Sequence, residues 1–128
     1  MTTYSRTIAS TVIATIAAWG GLALPVPATA AQQSTNALSE CPSGYFCVWS
    51  DTNYSGNMQR ISATNSYRSI SLVSTRSYYN HRSQRTWLHE ESDGSGSYVC
   101  LNPGASKAST SGWQASADAA YLATVTNC

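Results

Sequence analysis

Apolar residues fall into two textures along this chain. From Ile8 to Leu24 they run almost unbroken (IASTVIATIAAWGGLAL), diluted only by Ser, Thr and Gly. Beyond Cys41 they come in short runs bounded by Gly, Asn, Asp and Ser. Tyr45-Phe46-Cys47-Val48-Trp49 reads as a strand from its aromatic and β-branched content. Asp51-Thr52-Asn53-Tyr54-Ser55-Gly56 is turn chemistry, and Asn57 to Ser62 is the expected returning strand. Arg85 to His89 and Ser97 to Leu101 repeat the same strand, turn, strand plan, and Tyr121 to Thr126 is expected to close the chain as a final strand. The one helical suggestion is Ala115 to Ala120, too short to stand alone. Short strands at regular spacing predict an all-β sandwich or barrel.

The first texture is a targeting signal. Arg6 supplies a positive start, the apolar stretch follows, Pro25 and Pro27 break any helix, and Ala28-Thr29-Ala30 is an A-x-A cleavage pattern. A membrane span needs about twenty predominantly apolar residues, and this stretch is shorter and interrupted. Residues 1–30 are therefore expected to be a removable signal peptide, with the mature protein secreted and extracellular. Residues 31–40 (AQQSTNALSE) are polar and without periodicity, and are expected to form a flexible lead into a domain spanning 41–128.

A faint repeat runs through that domain. Trp49-x-x-x-x-Tyr54-x-Gly56 and Trp87-x-x-x-x-Ser92-x-Gly94 share one spacing at an offset of 38 residues. An aromatic strand residue covers a hairpin whose Gly takes a backbone conformation that side chains disfavour. In the second copy Ser92 stands where Tyr54 offers a ring in the first.

All four cysteines, Cys41, Cys47, Cys100 and Cys128, lie in the expected mature part. In an oxidising compartment an even count reads as two disulfides. Three pairings are open; the expected one is Cys41–Cys47 as a local loop and Cys100–Cys128 as a clasp on the last segment.

Charge narrows the function. Residues 31–128 hold six basic and six acidic side chains, a net charge of zero with His neutral. Binding to a phosphate backbone needs a basic surplus, so no nucleic acid partner is expected. No metal site is expected either: there is no C-x-x-C, and His81 and His89 have no ligand spacing to the cysteines. His89, Glu90 and Glu91 lack the second His of a zincin helix, and no G-x-S-x-G occurs. Adjacent strand residues point to opposite faces, so His89 and Glu90 would not share a pocket. The chain is expected to have no catalytic residues and no cofactor.

Cys41-Pro42-Ser43-Gly44-Tyr45-Phe46-Cys47-Val48-Trp49, followed by Asp51-x-Asn53-Tyr54-Ser55-Gly56, resembles the opening of the secreted peptidase inhibitor family I36. The Cys-Pro-x-Gly-x-x-Cys start is its most specific piece, and Arg76-Ser77-Tyr78-Tyr79-Asn80 is similar to the family's mid-chain segment. The resemblance covers most of residues 41–101. It implies a βγ-crystallin-like sandwich of two Greek keys, here stapled by the disulfides. It further implies a monomeric inhibitor of secreted proteases, zinc metalloendopeptidases of the thermolysin type above all, acting through a substrate-like loop. Calcium-binding relatives of that fold carry adjacent Asn/Asp residues, and no such pair occurs here.

The family's Cys–hydrophobe bond matches Cys100-Leu101, which places the implied inhibitory loop at Cys100, Leu101, Asn102 and Pro103. Enzymes of the thermolysin type prefer a bulky apolar residue after the bond. The chain departs from the family in having no cysteine soon after Cys100; Asn102-Pro103-Gly104 is the stiffening element instead. The competing reading of Leu101 is a core residue at a strand end. At the level of the whole protein, the alternative is a non-inhibitory extracellular crystallin-like binding or structural module. The aromatic supply (Tyr67, Trp87, Tyr98 and Tyr121 among others) exceeds what one small core needs, and leaves rings for an exposed glycan- or protein-binding patch.

Overall fold

Strand β1 (Phe46–Asp51) has two apolar faces, and the architecture follows from how each is covered. The computed structural model describes residues 34–128. Phe46 and Val48 face inward and join Ile61, Tyr78, Leu88 and Leu122 in the main core. Cys47 and Trp49, alternating with them, face outward into a second cluster with Cys41 and Tyr54.

Two four-stranded antiparallel sheets pack around the main core. The first has the order β2-β1-β4-β7 and the second β3-β8-β5-β6. Their remaining members are β2 (Ser55–Ile61), β3 (Ser66–Ser69), β4 (Ser77–Asn80), β5 (Thr86–His89), β6 (Tyr98–Leu101), β7 (Ser106–Lys107) and β8 (Ala119–Leu122). Strands β1–β4 and β5–β8 form two Greek keys. The third strand of each key crosses over: β3 pairs with β8 in the second sheet, and β7 pairs with β4 in the first.

The register corrects the sequence repeat. Phe46 lies opposite Ile61, and Thr86 lies opposite Leu101, so the two hairpins are related by 40 residues rather than 38. Under this register Trp49 corresponds to His89, and Gly56 to Gly96. Both glycines take positive φ, +77° and +74°; Gly56 faces Ser50 and Asp51 at the end of β1, and Gly96 faces the matching Glu90 and Glu91 just past β5. A shift of two residues preserves the face of a strand, so Trp87 still points outward, one pleat away from Trp49's counterpart.

Other expectations change in detail. The lead expected to be structureless includes helix α1 (Ser34–Ser39), and Ala37 and Leu38 pack on the second cluster. Residues 115–120 do not form an α-helix: a 3-10 turn covers Gly112–Ser116, and Ala119 already begins β8. The closing strand ends at Leu122 rather than reaching Thr126. Ala120 and Leu122 are fully buried, and pairing with β5 and β3 on both sides overrides the helix preference of Ala. The signal peptide expected over residues 1–30 lies outside the described residues.

Candidate functional site

The cysteines pair as Cys41–Cys47 and Cys100–Cys128. The first bond sits in the buried cluster beneath α1, and the second ties the chain's end to the outer side of β6. Among the described residues no group of three or more His, Cys, Asp or Glu is placed to hold a metal ion.

Of the residues singled out for the inhibitory loop, Leu101 and its neighbours part company. Leu101 is 5% exposed and belongs to the main core, paired with Thr86. Cys100 is half-buried, while Asn102, Pro103 and Gly104 are exposed. Pro103 followed by Gly104 at φ +81°, with the Ala105 amide donating to the Asn102 carbonyl at 3.0 Å, has the composition of a type II turn. The turn is held from below by Asn80, which is fully buried. Its Nδ2 donates to the carbonyls of Leu101 (3.0 Å), Asn102 (3.1 Å) and Gln84 (3.0 Å), and its backbone carbonyl accepts from the Gly104 amide. From the other side, the Cys128 amide donates to Asn102 Oδ1 at 2.9 Å. The segment is rigid, but the apolar side chain expected to meet an enzyme points into the protein.

A second loop presents what that segment withholds. Between β3 and β4, Leu72 tucks against the main core while Val73 is 102% exposed, as open as in a free chain. Ile70 donates to the Asp118 carbonyl and Thr75 to that of Ala115. The Ser71 amide donates to Gln59 Oε1 at 2.7 Å, and Ser74 Oγ donates to the Ser50 carbonyl at 2.7 Å. An apolar residue held out on a loop anchored at both ends has already lost most of the freedom that binding would remove. Val73 escapes notice in the sequence because it follows Leu72 in the run Ile70-Ser71-Leu72-Val73, where nothing local tells the exposed residue from the packed ones.

Two clefts complete the surface. One, of about 370 Å³, is polar and lined by Ser62, Thr64, Arg82, Gln84 and Thr124 among others. Arg82 is buried there and clamps the chain, donating to the Arg85 carbonyl, Thr86 Oγ1 and the Ala123 carbonyl. The other, of about 270 Å³, opens on the outer face of the second sheet and is lined wholly by rings: Tyr67, Trp87, His89, Tyr98 and Tyr121. Burial pushes the His89 imidazole below its ordinary pKa, against a smaller upward pull from a hydrogen bond with the Gly94 backbone.

A family model for peptidase inhibitor family I36 matches residues 34–101, more than half of the chain. The chain belongs to peptidase inhibitor family I36. Membership makes it one of a family of peptidase inhibitors rather than of enzymes, and the two disulfides accord with an extracellular setting. The I36 match takes in the Cys41–Cys47 loop, the Val73 loop and both hairpins, and stops at Leu101, before the Asn102–Gly104 turn. A search of curated proteins finds no match. Among solved structures, one from work on the evolution of the eye lens beta-gamma-crystallin domain fold is similar over 63% of this chain and 87% of its own. The TM-score is 0.51 at 7% identity, a likeness of fold alone. With the two exchanged Greek keys, it makes this I36 member a βγ-crystallin-type sandwich.

Proposed function

We propose that the protein is a secreted, monomeric inhibitor that blocks zinc endopeptidases of the thermolysin type by offering a rigid, substrate-like loop. The observation that carries this reading is the Val73 loop: a fully exposed apolar side chain on a backbone fastened at both ends, in a member of an inhibitor family. A protease with a pocket for an apolar residue after the scissile bond would take Val73 into it, with the Leu72–Val73 bond across the active site. Little conformational entropy remains to be lost on binding, and a clipped loop would stay in place and reseal rather than leave. The Cys100–Pro103 segment is the second loop proposed for this role. Its support is its rigidity and its match to the family's Cys–hydrophobe bond, with Asn102 and Pro103 as the side chains an enzyme would reach.

Titration of the oxidised protein against thermolysin-like and subtilisin-like proteases tests the reading. Stoichiometric loss of the thermolysin-like activity is expected, relieved at least a hundredfold by Val73→Asp. Relief by Pro103→Asp with Val73→Asp still inhibitory moves the contact to the Asn102–Pro103 turn. Leu101→Asp is unsuitable because it would bury a charge in the core. Absence of inhibition at micromolar protein rejects the proposal in favour of a non-inhibitory extracellular module.

A further inference from the structure

The two sheets carry matching outer faces that are finished differently. On the first, Trp49 is 1% exposed, packed against Tyr54 and covered by the cluster that Ala37 and Leu38 of α1 join. On the second, no such cover lies over the corresponding face among the described residues. Tyr67 and Tyr98 are 48% and 60% exposed, and the rings form one continuous strip. Tyr121 meets Tyr67 at 4.8 Å between centroids, Tyr67 meets His89 at 5.2 Å, His89 meets Tyr98 at 5.6 Å, and Tyr98 meets Trp87 at 5.2 Å. The Arg85 guanidinium extends the strip, 5.3 Å from the Trp87 ring.

Contiguous exposed apolar surface on a small protein marks a binding site, and an unmet nitrogen in its wall bears on its ligand. Among the described residues, the buried side-chain nitrogens left without a hydrogen-bond partner are His89 Nδ1 and Arg85 Nε, both on residues of this strip. Unmet buried polar groups are costly, and His89 lines the open cleft, while Arg85 stands beside it over the Trp87 ring. The cleft asks for a flat ligand that is apolar on its face and rich in oxygen at its rim. No aliphatic side chain and no carboxylate lines it, which disfavours an apolar peptide and a cationic ligand alike.

We propose that this face binds a neutral β-linked polysaccharide, with pyranose rings seated on Tyr67, Trp87, Tyr98 and Tyr121. The C–H face of a pyranose carries partial positive charge and lies against the negative face of an aromatic ring. Its equatorial hydroxyls supply oxygens to the tyrosine hydroxyls and to the His89 imidazole in the cleft wall. The rings cross the sheet from Tyr67 on β3 through Tyr121 on β8 and Trp87 on β5 to Tyr98 on β6, a platform for sugar rings in succession. The cleft's volume, near the lower end of ligand clefts (roughly 300–1,000 Å³), suits one or two sugar units. This site is independent of how proteases are inhibited.

The test is calorimetric titration of the disulfide-bonded protein with hexamers of β-1,4-linked glucose and of β-1,4-linked N-acetylglucosamine. Binding of at least one hexamer is expected, weakened tenfold or more in Tyr98→Ala and in Tyr67→Ala, and unchanged in Arg60→Ala on the other sheet. Tyr98 is exposed enough that its variant will keep the wild-type melting temperature, so a loss there reports the site rather than the fold. No binding of either hexamer at millimolar concentration overturns the proposal, as does undiminished binding in the Tyr67→Ala/Tyr98→Ala double variant. Protease affinity that falls in Tyr98→Ala without any sugar binding overturns it too, and assigns the face to a protein.

Discussion

The ring of Tyr67 lies so close to Gly94 that a methyl group on that glycine would stand 2.5 Å from the ring's Cε1. In the first Greek key the hairpin is covered from within, by Tyr54 packing edge-on to Trp49 at 5.4 Å. In the second, Gly94 occupies the position of Tyr54, and the ring comes from β3, with Tyr67 edge-on to His89 at 5.2 Å. One contact is thus rebuilt from a different part of the chain. Gly94→Ala should therefore destabilise by about 1–3 kcal/mol, from displacing the ring and from the left-handed backbone at φ +83°. In a Tyr67→Ala background only the backbone part, about 1 kcal/mol, should remain. Denaturant unfolding of the four proteins measures this, and additivity within about 0.5 kcal/mol would count against a direct contact.

Asn80 is the polar centre of the fold. Besides its donated hydrogen bonds, its Oδ1 accepts from Thr86 Oγ1 at 3.1 Å. Asn80→Ala leaves the carbonyls of Leu101 and Asn102 and the hydroxyl of Thr86 short of partners, a loss of about 3 kcal/mol or more. The Asn102–Gly104 turn should loosen first, visible as faster amide exchange at Gly104 and Ala105 than at β1 in the same variant. Equal exchange rates would refute the placement of Asn80 as the turn's anchor.

The disulfides should differ in kind. Chain entropy alone assigns about 3.6 kcal/mol to Cys100–Cys128 and about 2.4 kcal/mol to Cys41–Cys47, from loops of about 29 and 7 residues. Cys41 and Cys47 are, however, both buried beneath α1. Replacing that pair by Ser puts hydroxyls into the second cluster, so the Cys41→Ser/Cys47→Ser variant should lose more than its entropic share. Cys100→Ser/Cys128→Ser should stay near or below its own, since Cys128 is exposed. Paired denaturant curves of the two double variants read this directly.

His89 gives the protein an acid sensitivity of definite sign. Its folded pKa lies below the ordinary value near 6.5, chiefly because burial disfavours the charged ring. Above that value both states are neutral and His89 has no effect; as pH falls through it, the unfolded chain takes up the proton first and stability drops. The rings packed against it are those of Tyr67 and Tyr98. Melting temperatures of wild type and His89→Gln should diverge less at pH 5 than at pH 7.5, as the wild type loses its margin. A wild type no more acid-sensitive than the variant contradicts the assignment.

Much of this was legible in the chain. Aromatic and β-branched runs mark β1, β5 and β6, turn residues mark both hairpins, and the even number of cysteines marks the staples. The exchanged strands were not legible: Ser66–Ser69 and Ser106–Lys107 show no apolar alternation, because edge strands contribute backbone pairing more than buried side chains. The repeat was legible in face but not in register, since a slip of two residues leaves every side chain on its own side. Leu101 was legible as apolar, but its direction is set by its pairing with Thr86, which no local pattern reveals. Val73 was invisible for a related reason: that it stands exposed while Leu72 beside it packs inward is set by the anchors of its loop, not by any local pattern.

The exchange of β3 and β7 also bears on survival among proteases. Neither key owns a complete sheet, because each borrows an edge strand from the other. A nick in the 81–85 connection, or in the Val73 loop, therefore frees no fragment: the severed pieces remain interlocked through strand pairing, and a cut in the Asn102–Gly104 turn is bridged by Cys100–Cys128 as well. The molecule tolerates being cut without coming apart, a useful property for a protein that meets its partners blade first.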